Sequence, residues 1–231
     1  MRRQRKPTGS IGAISISSAG DVTFEKVSFP AEKAEVEGFV VELTVHALQE
    51  ANLNPWGAVP RRNPEQHFDF TIPSPNGEAY LDLMEIAPLD GQGGFQNATL
   101  DYHHGQIADW VWAKLTQKAR KYGLPRELSV HLLLYSTDLA FRLSAGVLDL
   151  LSYYCSVADR GFMSILYAVP EDATSVSITT VCPRERSEFR RFNLAAKRER
   201  SSLLADFTRR EVTGTTSVSV PLGGRRSDEG R

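Results

Sequence analysis

The chain has 231 residues, of which 41% are hydrophobic and 24% are charged, and its formal net charge is −1. This length supports one substantial core with appendages, and no run of about 18 apolar residues is present, so we expect no membrane span. Two cysteines, Cys155 and Cys182, are too few for a disulfide framework and lack metal-ligand spacing, which favours a reduced, cytoplasmic setting.

The first half of the chain shows a hairpin, a helix and two further strands. Residues 1–28 are predicted to form a basic tail and a β-hairpin that turns at Gly20. A helix is predicted to begin near Pro30, with Ser28 as its N-cap, because apolar residues then recur at the i, i+3, i+4, i+7 spacing. Two strands follow, in "HFDFTI" and "YLDLMEIA", and the Asn-Gly pair between them is a strong turn signal.

The second half of the chain alternates helix and strand. A Gly-rich loop covers residues 88–101, and an amphipathic helix then ends at Gly123. The remaining elements are a buried strand at 128–136, a helix at 138–159, a strand at 161–170 and an edge strand at 175–181. This order predicts a three-layer α/β domain at 29–183, with helices flanking a mixed sheet.

Charge is distributed unevenly along the chain. Residues 1–6 carry a formal +4, residues 7–183 a formal −10, and residues 184–231 hold 12 Lys or Arg against 7 Asp or Glu. The last segment is predicted to form a basic helix to about residue 210, followed by a disordered tail. This helix could lie on nucleic acid or a membrane surface, or its charges could meet acids of the body. We favour docking on the body, because it also explains why the terminal segments are basic and the body is acidic.

Four carboxylates fall within residues 67–88, where acidic side chains in apolar strands are costly to bury. Asp69 and Glu85 lie in the two neighbouring strands, and carboxylates so placed are hard oxygen ligands for Mg²⁺. They share a face only if the hairpin pairs positions such as 69 and 85, whereas a two-residue turn at Asn76-Gly77 would pair 69 with 84. Asp82 falls on the face opposite Glu85, and we interpret it as a strand-end or solvent-facing acid.

The predicted order of elements over residues 30–170 resembles that of the PD-(D/E)xK, or restriction-endonuclease-like, nuclease superfamily. In this order a helix is followed by a strand with Asp, a strand with Glu, a helix and a further strand. The resemblance implies a nuclease that acts on DNA with Mg²⁺ as cofactor. Asp69 and Glu85 would bind the metal, and Glu42, or else Glu35, would assist from the first helix. The Glu-x-Lys motif of that family requires a lysine at position 87, where this chain has Ala87.

The missing lysine leaves several interpretations open. Lys118, or Lys114 at the edge of the same helical stripe, could replace it, so the predicted catalytic set is Asp69, Glu85 and Lys118. The ordinary explanation of Lys118 is a packed stem with its amine in water. The alternatives are a non-catalytic member of the same fold that binds a protein partner, and an unrelated α/β protein whose acids are solvated.

Overall fold

A computed structural model describes residues 11–18, 20–63, 68–74, 77–86, 101–124, 128–138, 141–158, 160–183 and 193–203. The predicted loop at 88–101 therefore lies almost wholly outside the described residues, as does the predicted tail beyond residue 203. Within the described part of the chain, no helix is long and apolar enough to cross a membrane.

Helices and strands alternate along the described chain much as the sequence predicts. The helices are α1 (Lys33–Glu50), α2 (His104–Tyr122), α3 (Ala145–Val157) and α4 (Leu194–Glu199). The strands are β1 (Gly12–Ile16), β2 (Val22–Lys26), β3 (Arg61–Arg62), β4 (Phe70–Ser74), β5 (Gly77–Glu85), β6 (Asp101–His103), β7 (Ser129–Tyr135), β8 (Ser164–Pro170), β9 (Val176–Cys182) and β10 (Ser201–Leu203).

Six of these strands form one mixed sheet in the order β3-β4-β5-β7-β8-β9. The pairs β5–β7 and β7–β8 are parallel, because α2 and α3 connect their ends, and the outer pairs are antiparallel. β9 lies at the edge, as predicted. The predicted N-terminal hairpin is also confirmed, since β1 pairs with β2 and Gly20 adopts a φ of 89° between them.

Helices cover both faces of the sheet, which confirms the predicted α/β architecture with a mixed sheet between helices. On one face, here called the α1 face, the valines of α1 pack against Phe70, Ile72, Leu81 and Leu83. On the other, the α2 face, the apolar stripes of α2 and α3 pack against the central strands β7 and β8. Each face thus buries its own hydrophobic cluster, and the central strands read as continuous apolar runs.

Two predicted helix starts are wrong. α1 begins at Lys33 with Glu32 as its N-cap residue, instead of near Pro30 with Ser28 as the cap. α3 begins at Ala145, seven residues after the predicted start, and its N-cap Ser144 accepts a hydrogen bond from the Val147 amide at 3.4 Å. The apolar residues that suggested an earlier start join the core without being helical, as the buried Leu143 shows.

The C-terminal segment is less helical than predicted. α4 spans only six residues, and the following residues of β10 pair with β6, so the helix predicted through 210 is wrong from residue 200 to 203. The basic charges of this segment meet acids of the body, which is the interpretation that we favour. Lys197 Nζ lies 2.5 Å from Asp149 Oδ2 on α3, and Arg198 Nη2 lies 2.5 Å from Asp109 Oδ2 on α2.

Gly146 permits a close contact between the starts of α2 and α3. A Cβ at position 146 would lie 2.3 Å from Nδ1 of the buried His104, whereas a Cβ at Gly38 in α1 would meet nothing closer than 3.9 Å. We therefore expect Gly146→Ala to lower the free energy of unfolding by about 1–3 kcal/mol through overpacking.

Gly38→Ala is the matched control for that substitution. It removes a glycine from a helix interior without a clash, so we expect it to raise the free energy of unfolding by up to about 1 kcal/mol. Chemical denaturation of both variants measures the difference, and equal effects would contradict the contact between Gly146 and His104.

Candidate functional site

The pairing of β4 with β5 decides which acids meet. Phe70 pairs with Leu81 and Ser74 pairs with Gly77, and continuing this register by one residue places Asp69 next to Asp82. The expected pairing of position 69 with 85 or 84 is therefore wrong. Gly77 is the first residue of β5 and is not part of the turn. The partner of Asp69 therefore lies closer to the turn than position 84 or 85.

Asp82 is the most buried acid of the described chain. Its exposed fraction is 1%, and its Oδ2 accepts hydrogen bonds from the ammonium of Lys118 and, at 2.9 Å, from the hydroxyl of Tyr122. Burial raises the pKa of Asp82 to about 6, Lys118 opposes that rise, and the neighbouring Asp69 adds to it. The interpretation of Asp82 as a solvent-facing acid is therefore wrong.

Asp69 lies beside Asp82 and is the residue directly before β4. Its Oδ2 accepts a hydrogen bond of 2.8 Å from the Leu83 amide, and its carboxyl is close enough to hydrogen-bond the carboxyl of protonated Asp82. The donors Leu83, Lys118 and Tyr122 all bond to Oδ2 of these acids. Two carboxyls from neighbouring strands thus lie side by side.

Lys118 and Tyr122 reach the acids from one flank of α2, because residues four apart share a helix face. The ring of Tyr122 lies 4.6 Å from the ring of Phe68, which lies 4.7 Å from the ring of Tyr80. This row of aromatic rings fixes the flank of α2 over β4 and β5. The structure therefore brings Lys118 to an acid of β5, and that acid is Asp82 instead of Glu85.

Glu85 lies apart from this pair. It projects to the opposite face of β5 from Asp82, and it is three residues further along the strand, about 10 Å at the usual rise. Its Oε1 accepts a hydrogen bond of 2.6 Å from the Thr137 hydroxyl. Burial raises the pKa of Glu85, and the bond from Thr137 lowers it. The structure thus does not bring Glu85 together with Asp82 and Lys118.

The acids proposed for the first helix, Glu42 and Glu35, are both exposed. Glu37 is buried instead, with Lys33 Nζ 3.3 Å from its carboxylate. Burial raises the pKa of Glu37, Lys33 lowers it, and the charge of Asp69 raises it. A sequence signal existed, because Glu37 falls inside the apolar stripe set by Val36 and Val40.

Asp69 and Asp82 are a small donor set for a metal ion. Within the described residues, no group of three or more His, Cys, Asp or Glu side chains could hold a metal ion. Magnesium, however, is commonly bound through one or two carboxylates, with waters and substrate phosphates completing its octahedron. Asp69 and Asp82 supply two carboxyls of that kind, and a bound cation would favour their ionised forms.

Comparison with known proteins gives no further guide. No protein-family model matches the chain, and neither the curated proteins nor the solved structures include a match. The function must therefore be argued from the geometry of the acids and their neighbours.

The raised pKa of Asp82 predicts a pH-dependent stability. Between about pH 4 and pH 6 the folded protein keeps a proton that the unfolded chain releases, so the free energy of unfolding falls as the pH rises. Relative to Asp82→Asn, which cannot titrate, we expect the wild type to lose on the order of 3 kcal/mol across this window.

Urea denaturation at several pH values measures this difference. Glu42→Gln serves as the control, because it replaces an exposed acid that lies outside the site. Parallel profiles for wild type and Asp82→Asn would show that Asp82 is not a buried acid with a raised pKa.

Proposed function

We propose that this protein is a Mg²⁺-dependent nuclease with a restriction-endonuclease-like fold, which cleaves phosphodiester bonds of DNA at Asp69 and Asp82. The observation that carries the proposal is the meeting of two carboxyls from adjacent strands with a lysine that reaches one of them. The order α1, β4, β5, α2, β7 supports it, because it is the order on which the resemblance rests.

Each residue of the site has a definite role in this proposal. Bound Mg²⁺ would polarise the phosphoryl group and lower the pKa of the attacking water. Asp69 and Asp82 would hold the ion, while the Leu83 amide and the Tyr122 hydroxyl keep the two carboxyls in place. Lys118 would stabilise negative charge that develops on the phosphate, and it takes the place of the lysine that Ala87 excludes from β5.

Plasmid cleavage tests the proposal directly. In Mg²⁺ we expect the wild type to cut supercoiled DNA, and Asp69→Asn and Lys118→Met to cut it at least ~100-fold more slowly, the usual cost of removing one charge-stabilising group. Glu42→Gln is the matched control, because its exposed carboxyl lies outside the site. Equal rates for the wild type and Asp69→Asn would reject the assigned site.

Magnesium binding has a readout that does not depend on cleavage. Because a ligand that binds only the folded state stabilises it, we expect Mg²⁺ to raise the Tm of the wild type at pH 7.5. The rise should be smaller at pH 5, where Asp82 is protonated, and absent in Asp69→Asn. A Tm shift that is the same for both proteins would place the metal elsewhere.

One observation favours a second function. Oδ2 of Asp82 already has two donors, Lys118 and Tyr122, which is also the arrangement of an internal ion pair that needs no metal. A non-catalytic member of the same fold that binds a protein partner would keep this pair. A folded wild type with neither cleavage nor a Mg²⁺-induced Tm shift would favour that function over the nuclease.

A further inference from the structure

The edge strand β3 turns its two arginines to opposite faces of the sheet. Arg62 belongs to the α1 face, where its Nη1 donates to the Ala34 carbonyl at 2.6 Å and its guanidinium lies over the Phe70 ring. Because successive side chains of a strand alternate, Arg61 projects to the α2 face. It is exposed and has no partner among the described residues.

Arg61 is part of a polar shelf, defined here as Arg61, Asn63 and Thr71. Arg61 pairs with Thr71 across β3 and β4, and Asn63 Nδ2 donates to Thr71 Oγ1 at 3.1 Å. The Asn63 amide donates to the Asp69 carbonyl at 3.0 Å, so the shelf leads directly to the acid pair. On this face, no residue of the shelf is buried, whereas Phe70 on the opposite face is covered by α1.

A row of lysines lies on the other side of the acids. Lys114, Lys118 and Lys121 follow the i, i+4, i+7 spacing, so they share one flank of α2. Lys118 contacts Asp82, which shows that this flank faces the acid pair. Lys121 is exposed, and its Nζ lies 5.1 Å from the centre of the Tyr122 ring. The acids therefore lie between the lysine row and the shelf.

We propose that the polar shelf and the lysine row form a groove that binds the phosphate backbone of a nucleic acid across the acid pair, with Arg61 as a positioning residue that contacts phosphate. The inference rests on the proposed function only in placing the reacting phosphate at Asp69 and Asp82. The strands β3 to β5 span about 10 Å, two strand spacings.

The charge of the chain makes such local cations necessary. Residues 7–183 carry a formal −10, and an acidic body repels a polyphosphate unless cations compensate at the contact. A guanidinium on a rigid edge strand can hold phosphate through two parallel hydrogen bonds. Contacts of this kind fix the position of the backbone and carry no sequence information, so Arg61 would set register without setting base preference.

Binding to a fluorescently labelled oligonucleotide in EDTA tests the groove without cleavage. One contact contributes about 0.9 to the slope of log K against log salt, so at 0.1 M salt we expect Arg61→Gln to bind duplex ~8-fold more weakly with a slope smaller by about 0.9. Arg61→Lys, which keeps a phosphate-binding charge, should recover most of the affinity. Parallel measurements with single-stranded and duplex DNA identify which backbone the groove prefers.

Arg120→Gln is the matched control, since it removes the same charge from an exposed position of α2. Position 120 is two residues from Lys118, about 200° around the helix, so it faces away from the acids. We expect this variant to bind within twofold of the wild type. Equal weakening by Arg61→Gln and Arg120→Gln, or no binding of either oligonucleotide by the wild type, would overturn the groove.

Cleavage kinetics separate the groove from the proposed function. If both hold, Arg61→Gln raises the KM for plasmid and leaves kcat within about twofold, whereas Asp69→Asn lowers kcat. If the wild type binds through Arg61 but never cleaves, the groove stands and the nuclease fails. If the wild type cleaves while Arg61→Gln matches it in affinity, slope and KM, the groove fails and the nuclease stands.

Discussion

Asp82 imposes the strongest constraint on this fold, because its carboxyl is buried in one face of the central sheet. A buried carboxylate without partners would cost several kcal/mol, and its partners come from α2, one helical turn apart. The apolar stripe of α2 allows some sliding over the strands, but the bonds from Lys118 and Tyr122 do not. The position of α2 on the sheet, and with it the separation between the helix and the β3–β4 edge, follows from this contact.

Stability alone gives no reason for such a pair. Replacing a buried ion pair by well-packed apolar residues is often neutral or stabilising, whereas removing one partner is strongly destabilising. The interior around Asp82 is rich in aromatic rings that could fill the same volume. Under the proposed nuclease function the pair would serve chemistry at the neighbouring Asp69 carboxyl, and under the second proposal it would serve to fix α2 on the sheet.

Much of this architecture could be predicted from local patterns, and the errors have a common cause. The periodicity of α2, its end at Gly123 and the place of Lys118 on the inner flank follow from residues close in sequence. The partner of Asp69 does not, because Gly77 is equally compatible with a turn and with the first position of a strand. Burial of Glu37 does not follow from the pattern, because periodicity describes the apolar members of a stripe and ignores an acid among them.

The C-terminal segment also shows that local sequence patterns do not reveal pairing between residues far apart in the chain. Its charge and its acidic surroundings predicted docking, and the pairs with Asp109 and Asp149 satisfy that expectation. Its secondary structure was mispredicted because β10 pairs with β6, about 100 residues earlier in the chain. Local propensity favours continuing the helix there, and tertiary pairing overrides it.

The short connection between β4 and β5 has a consequence for the acids. Ser74 and Gly77 are paired, so only two residues link the strands, and the identity of those two residues is nearly irrelevant to the acids. Their number matters more, because a connection that shifted the register by one residue would turn every side chain of β4 to the other face of the sheet. The acids therefore depend on the length of this connection more than on its composition.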